Sequence, residues 1–284
     1  MLIRFGYDIT ITCAEPTPLI CLMSPRVDQL AALTEAEVFH TQPMVPSTLY
    51  FDLYGNTCRR ILAPAGDFRL MSNAVIHDSG ALDIIDASAP EAVIANLPDE
   101  TLVYLLGSRY CETDRLSQQA WDMFGKIPPG WGRVQAISDL VNGHIKFDYL
   151  KARATRTAEQ AWVEGEGVCR DYAHLMIAFC RCMNIPARYV NGYLGDIGVP
   201  LAGEMDFSAW VEVFIGGRWV TFDPRNNRRR IGRIKVAHGR DAADVPLIHS
   251  FGPHILKVFR VWCYDTADPP AKQAEHAGLV PQIA

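Results

Sequence analysis

The sequence has no Cys-x-x-Cys pair, no apolar run long enough to span a membrane and no internal repeat. Its first residues alternate as in a β-strand and lack the basic and apolar regions of a signal peptide. A chain without an export signal keeps its cysteines reduced, so the eight present here predict free thiols rather than a disulfide framework. We therefore expect a cytoplasmic protein with no metal centre, no cofactor and no membrane partner.

The composition is that of an ordinary globular protein. Hydrophobic residues make up 49% of the 284 positions, and the formal net charge is −5. This mild acidity gives no reason to expect nucleic acid as a partner, and no feature points to a particular oligomeric state. A chain of this length can bury one large core or two modest ones.

The sequence divides into a β-rich first part and a mixed second part. Strand-like segments separated by turn residues predict a β-sandwich-like domain over residues 1–100, with one short helix over 29–39. A stretch rich in Asp, Ala and Pro at 79–101 predicts the linker between domains. Residues 101–268 are then the core domain, and residues 269–284 are a C-terminal tail.

The second part combines helical and strand patterns. Apolar residues three and four apart predict helices over 117–124, over 134–145 and from residue 169 onward. Strand-like runs follow at 187–194, 207–215 and 218–222. Helices followed by antiparallel strands predict an α+β fold.

The last two of these strands are joined by Gly216-Gly217, which predicts a two-residue hairpin turn. Ile215 then pairs with Arg218, and counting back places Trp210 opposite Asp223. One face of the hairpin is apolar and is expected to pack inward. The other face carries a polar set that is expected to line a site: Ser208, Trp210, Glu212, Trp219, Thr221, Asp223 and Arg225.

The most informative segment is residues 165–175, where Cys169 follows a glycine-rich turn and opens an apolar segment typical of a buried helix. A cysteine in the first helical turn lies among unpaired N–H groups and at the positive end of the macrodipole. Both favour the thiolate, which is the nucleophilic form of cysteine. Cys169 is therefore the candidate nucleophile, and Asp171 is predicted to complement the helix dipole.

Four motifs in order give the chain a family resemblance: GVCRD at 167–171, NIPARY at 184–189, AWVEV at 209–213 and WVTFDP at 219–224. This set resembles the bacterial transglutaminase-like cysteine proteases, whose N-terminal region is similar to the β-rich part here. The resemblance covers residues 130–225 and implies a papain-like core, with helices packed on an antiparallel sheet. It also implies acyl transfer on peptide or protein amides by a Cys-His-Asp triad.

Carried over by position, the resemblance makes Cys169 the nucleophile and Asp223 the acidic residue that orients the histidine. The family histidine belongs directly before Ala209, and this chain has Ser208 there. Serine does not titrate near neutral pH, so it cannot accept the thiol proton or return it to a leaving amine. Three histidines that follow the hairpin could replace the missing group: His238, His249 and His254.

Substrate contacts are predicted for Trp210, Tyr193 and Arg225. For Arg225 two interpretations stay open, an ion pair with Asp223 or recognition of a substrate carboxylate by its bidentate fork. The basic residues between 228 and 235 are predicted to form a solvated face, with an anionic partner as the alternative.

Two functions are compatible with these residues. In the first, Cys169 attacks an amide carbonyl and forms a thioester, which water or an amine resolves. In the second, the chain lacks effective catalysis because of Ser208 and keeps the fold to bind a peptide or protein partner. A metal site has little support, since no usual ligand spacing is present.

Overall fold

The computed structural model describes residues 1–201 and 205–269, so the predicted tail lies almost entirely outside the described residues. The first part of the chain consists of six strands: β1 Leu2–Cys13, β2 Thr17–Cys21, β3 Leu33–Gln42, β4 Ser47–Phe51, β5 Thr57–Ala63 and β6 Gly66–His77. A helical part follows, interrupted by two short strands: α1 Asp99–Leu102, α2 Thr113–Phe124, α3 Trp131–His144, β7 Lys146–Phe147, α4 Ala158–Glu164, β8 Glu166–Gly167 and α5 Cys169–Cys182. The remaining strands are β9 Ala187–Leu194, β10 Ser208–Ile215, β11 Arg218–Phe222, β12 Arg233–Gly239, β13 Ile248–Ser250 and β14 His254–Asp265.

Two antiparallel sheets form an outer module. One has the strand order β14-β1-β6-β3 and the other the order β13-β2-β5-β4. Inward side chains of both, such as Phe5 and Ile9 from β1 and Leu19 and Ile61 from the second sheet, belong to one buried hydrophobic cluster. Two sheets that share a core in this way form a sandwich, as the sequence predicts for the first part.

The strand content of this module differs from the predicted boundary near residue 100. β13 and β14 were assigned by sequence to the core domain at 101–268, yet they pair with β2 and β1. The pairing of β1 with β14 runs from Ile3 opposite Asp265 to Cys13 opposite His254. Both ends of the described chain therefore lie in one sheet. No local sequence signal marks a pairing between such distant segments.

The predicted helix over residues 29–39 is wrong. A 3-10 turn covers Val27–Ala32, and the chain then extends as β3. β3 is an edge strand whose residues are only partly buried, so it lacks the clear alternation of a strand with one buried face.

The core domain is built around α5. This helix packs on β9 and β10 on one side and on α2, α3 and α4 on the other, and its residues from Asp171 to Cys182 are buried. The sheet beneath it has the antiparallel order β11-β10-β9-β12. The predicted α+β arrangement, helices on an antiparallel sheet, is confirmed.

The predicted hairpin is also confirmed. Gly216 and Gly217 have φ values of 60° and 73°, a conformation that favours glycine and matches the twist of paired strands. Ile215 pairs with Arg218, as the sequence predicts. The hairpin therefore brings the start of β10, at Ser208, and the end of β11, next to Asp223, to the same end of the sheet.

Candidate active site

Cys169 is the first residue of α5 and the only one of the eight cysteines that is not buried. The turn before it is fixed by Asp171, whose carboxylate accepts a 2.9 Å hydrogen bond from the Val168 N–H and pairs with Arg156 at 3.0 Å. A side chain at Gly167 would collide with the Asp171 carboxylate, which explains the glycine there. Asp171 thus holds the start of α5 and has its charge compensated.

The position of Cys169 at a helix start favours the thiolate, but the surroundings of the thiol in the structure favour its protonated form. The backbone N–H of Ala209 donates a hydrogen bond to the sulfur, and the positive charge of Arg225 also favours the thiolate. Burial of the thiol and the negative charges of Asp206 and Asp223 oppose it more strongly. Together they raise the pKa of Cys169 to about 11, with burial as the largest cause. The thiol is therefore protonated at neutral pH, and its reaction requires a proton acceptor.

Ser208 lies at the position where the resemblance implies the histidine. It is the first residue of β10, pairs with Gly192 of β9 and is half-buried. Its neighbour Ala209 carries the N–H that bonds the Cys169 sulfur. The site thus has a hydroxyl, and no titratable group, at this position.

Asp223, the other implied member of the triad, follows β11, and its carboxylate is almost fully buried. Its Oδ2 accepts a 2.8 Å bond from the Asn226 side chain and pairs with Arg233 at 2.9 Å, and its Oδ1 accepts a 3.1 Å bond from the Asn226 N–H. Both oxygens are therefore occupied, and the carboxylate holds the turn after β11.

None of the three histidines suggested as replacements is recorded in contact with Cys169. His238 lies on β12 between Arg188 and Tyr104, where burial, reinforced by nearby cations, lowers its pKa to about 2. His249 pairs with Ile20 on β2, and His254 pairs with Cys13 on β1. His249 and His254 lie on strands of the outer module, and His238 lies against Arg188 and Tyr104. The structure therefore places none of the three where the family histidine is expected.

Ion pairs occupy the part of the hairpin's polar face that carries Glu212 and Asp223, whereas Ser208 and Arg225 line a pocket. Arg233 bridges Asp223 and Asp83 at 2.9 and 3.0 Å, and Glu212 pairs with Arg188 and Lys235. We call these six residues the paired network: Asp83, Arg188, Glu212, Asp223, Arg233 and Lys235. Three residues of the predicted solvated face thus turn inward to acids, namely Arg233, Lys235 and Arg230, which pairs with Asp196. Arg228 and Arg229 are exposed, as predicted.

Two of the predicted substrate contacts are buried. Trp210 is 1% exposed and lies beneath the Arg233 guanidinium, 5.1 Å from its ring centre. Tyr193 is 0% exposed, and its hydroxyl donates to the Met23 carbonyl oxygen at 3.2 Å. Neither offers surface to a substrate in this structure, so both residues serve packing.

Arg225 is half-buried, and its guanidinium lies 4.2 Å from the centre of the Phe147 ring. The predicted ion pair with Asp223 is wrong, because Arg233 takes that carboxylate. Arg225 instead lines a pocket at the start of β10, here called the β10 pocket, together with other residues: Tyr149, Asp206, Ser208, Asn226 and Arg228. Among the described residues no ion pair is recorded for Arg225.

Two residues that the motifs do not identify contribute to this geometry: Asp206 lines the β10 pocket, and Arg233 bridges two acids. Asp206 stands two positions before Ser208, and that spacing was the one available signal. Arg233 belongs to a basic run whose acidic partner Asp83 is 150 positions away, so its role had no local signal.

No group of three or more His, Cys, Asp or Glu side chains that could hold a metal ion is found within residues 1–201 and 205–269. Among the same residues, no helix is long and apolar enough to cross a membrane.

Comparison with known proteins finds similarity to one superfamily over the core of the chain. The model of the transglutaminase-like superfamily matches residues 119–224. An uncharacterized protein of Mycobacterium leprae is 42% identical over 83 residues, which are 28% of this chain and 29% of that protein. An uncharacterized protein of Mycobacterium tuberculosis is 34% identical over 126 residues, 40% of each chain. The matched segments thus span less than half the length of these curated relatives.

The crystal structure of a putative cysteine protease from Cytophaga hutchinsonii is similar over 95% of this chain and 93% of that one, with a TM-score of 0.81 and 29% identity. This similarity extends through the outer module as well as the core. The motifs around Cys169 and Asp223, the helix on its antiparallel sheet and these matches identify residues 119–224 as a transglutaminase-like region of the chain.

Proposed function

We propose that the protein acts on amide bonds of peptides or proteins through a thioester at Cys169, as a cysteine hydrolase or acyltransferase. The observation that carries this proposal is the position of Cys169, a half-buried residue at the start of α5 whose sulfur receives the Ala209 N–H. That N–H stabilises a developing thiolate without any rearrangement of the backbone.

The proposed reaction has two stages. The sulfur of Cys169 attacks the carbonyl carbon, the amine leaves, and a thioester remains on the enzyme. Water then releases the acid in a hydrolase, or an acceptor amine forms a new amide in an acyltransferase. Arg225 is proposed to bind a substrate carboxylate, because its guanidinium faces the β10 pocket and has no recorded ion pair in the described part of the chain.

A second candidate function is supported by Ser208 and by the occupied carboxylate of Asp223. Loss of the imidazole removes general acid–base assistance, typically about 10²–10⁴-fold in rate. In this alternative the protein binds a peptide or protein partner and does not cleave it.

Amide turnover separates the two functions. The parent, Cys169→Ala and Ser208→His proteins are incubated with peptide amides, with and without a primary amine acceptor, and the products are followed by mass spectrometry. We expect slow turnover by the parent and none by Cys169→Ala, with Cys180→Ala as a matched control that keeps turnover because Cys180 is fully buried. A silent parent that gains activity with Ser208→His supports the second function and contradicts the first.

A further inference from the structure

The proposed chemistry requires a proton acceptor that the implied triad does not supply here. The Cys169 thiol has a raised pKa, Ser208 replaces the histidine, and Asp223 is committed to Arg233 and Asn226. A base within reach of the thiol must therefore come from outside the family pattern.

Asp206 is the acid best situated for this role. It lies in the segment that leads into β10, is partly exposed and lines the β10 pocket beside Ser208 and Arg225. Its carboxylate accepts the backbone N–H of Phe207, which orients it. No ion pair is recorded for it among the residues that the structure describes.

The pocket connects Asp206 to the thiol through the start of β10: Ser208 lines the same pocket, and the next residue, Ala209, donates its N–H to the Cys169 sulfur. Of the charged groups that act on Cys169, Asp206 has the largest effect, ahead of Arg225 and Asp223. Burial also raises the pKa of Asp206 above that of an ordinary aspartate. A carboxylate with a raised pKa is a stronger base and, once protonated, remains a competent acid.

We propose that Asp206 is the general base and acid of the Cys169 reaction. This inference rests on the proposed function. Asp206 removes the thiol proton as the S–C bond forms and the carbonyl electron pair moves onto oxygen. When that pair returns, the C–N bond breaks and the Asp206 proton passes to the departing amine nitrogen. In hydrolysis Asp206 then takes a proton from the attacking water and returns it to the sulfur as the thioester C–S bond breaks.

Two readouts of Asp206→Asn test this role, because the proposal moves them in opposite directions. Amide turnover is expected to fall by about 10²–10⁴-fold, the usual contribution of general acid–base catalysis. Alkylation of Cys169 by iodoacetamide at pH 8 is expected to become faster, because the variant removes a negative charge that raises the pKa of the thiol. A purely electrostatic role would raise both rates, and a role limited to binding substrate would raise KM and leave kcat unchanged.

Conservative and control variants complete the test. Asp206→Glu keeps a carboxylate and is expected to recover part of the lost turnover. Asp86→Asn is the matched control, since Asp86 pairs with Arg218 beside the hairpin turn, at the end of the strands opposite Ser208, and its turnover is expected to stay within about threefold of the parent. Circular dichroism and thermal unfolding verify that each variant is folded.

The inference and the proposed function fail in different ways. If Cys169→Ala is inactive while Asp206→Asn keeps parental turnover, or gains in both readouts, the role of Asp206 is overturned and the function stands. If Cys169→Ala retains turnover, or the parent shows none, both are overturned.

Discussion

Charged residues occur in two neighbouring regions around the same hairpin. The two regions differ in whether these residues are held in ion pairs. In the paired network, on one face, the carboxylates of Asp223 and Glu212 are each held by arginine or lysine partners. In the β10 pocket, Asp206 and Arg225 form no ion pair within the described residues, and their charges act on the Cys169 thiol. Charges that satisfy one another stabilise a fold, whereas charges left available beside a nucleophile are available for chemistry. Substitutions of equal type in the two regions should therefore affect different properties.

The largest effect on stability is expected for Arg233→Met in the paired network. This change leaves the buried carboxylate of Asp223 and the half-buried one of Asp83 without their cation, and breaking a buried pair typically costs about 3–5 kcal/mol. Arg225→Met, the same substitution in the β10 pocket, removes a half-buried cation without an ion pair and should cost less than about 1 kcal/mol. Urea unfolding of both variants measures the difference. Equal losses would contradict the distinction between the regions.

Two buried histidines should make the free energy of unfolding fall at acidic pH. His174 is fully buried against Tyr110, and its pKa lies well below 6.5, while the pKa of His238 is about 2, so both stay neutral in the folded protein. Below pH 6.5 the unfolded chain binds protons at both histidines and the folded chain does not. Stability should therefore be complete above pH 6.5 and fall by about 1.4 kcal/mol per pH unit for each histidine, or about 2 kcal/mol each at pH 5.

The variant His238→Gln checks this acid effect. Its unfolding free energy should fall between pH 7 and pH 5 by about 2 kcal/mol less than that of the parent, because one of the two histidines no longer titrates. An unchanged slope would show that His238 is charged or exposed in the folded state.

Thiol reactivity gives the smallest and most local effect. Because the pKa of Cys169 is about 11, its alkylation rate in the native protein should rise about tenfold per pH unit up to that value. Arg225→Met should slow the reaction a few-fold at pH 8, since it removes a cation that favours the thiolate. Mass spectrometry after brief iodoacetamide treatment should find Cys169 modified before any of the seven buried cysteines. A rate that levels off near pH 8.5 would contradict the raised pKa.

Local signals account for the parts of the fold that could be predicted. Apolar periodicity identified α5, and the pair Gly216-Gly217 with strand alternation fixed the register of β10 and β11. Pairing between distant segments had no such signal. The union of β1 with β14 and the bridge from Arg233 to Asp83 depend on tertiary packing, so the domain boundary and the inward turn of the basic residues were missed.

The site could be predicted in position but not in chemistry. The motifs identified Cys169 and Asp223, and they showed that Ser208 stands where the family histidine is expected. They could not show that burial outweighs the helix dipole at the thiol, because burial depends on how distant segments pack around it. They also could not distinguish Trp210, covered by Arg233, from a residue that faces substrate. Asp206 was identified only from the structure, in which the segment before β10 brings its charge close enough to act on Cys169.

The proposed thioester at Cys169 can be trapped and identified. The parent protein is mixed with a peptide amide substrate, quenched in acid within seconds and digested, and the peptide that carries residue 169 is analysed by mass spectrometry. The account predicts an added acyl mass on Cys169 that is released by hydroxylamine and is absent from Cys169→Ala. Turnover by the parent with no acyl mass on Cys169, or with that mass on another residue, would contradict it.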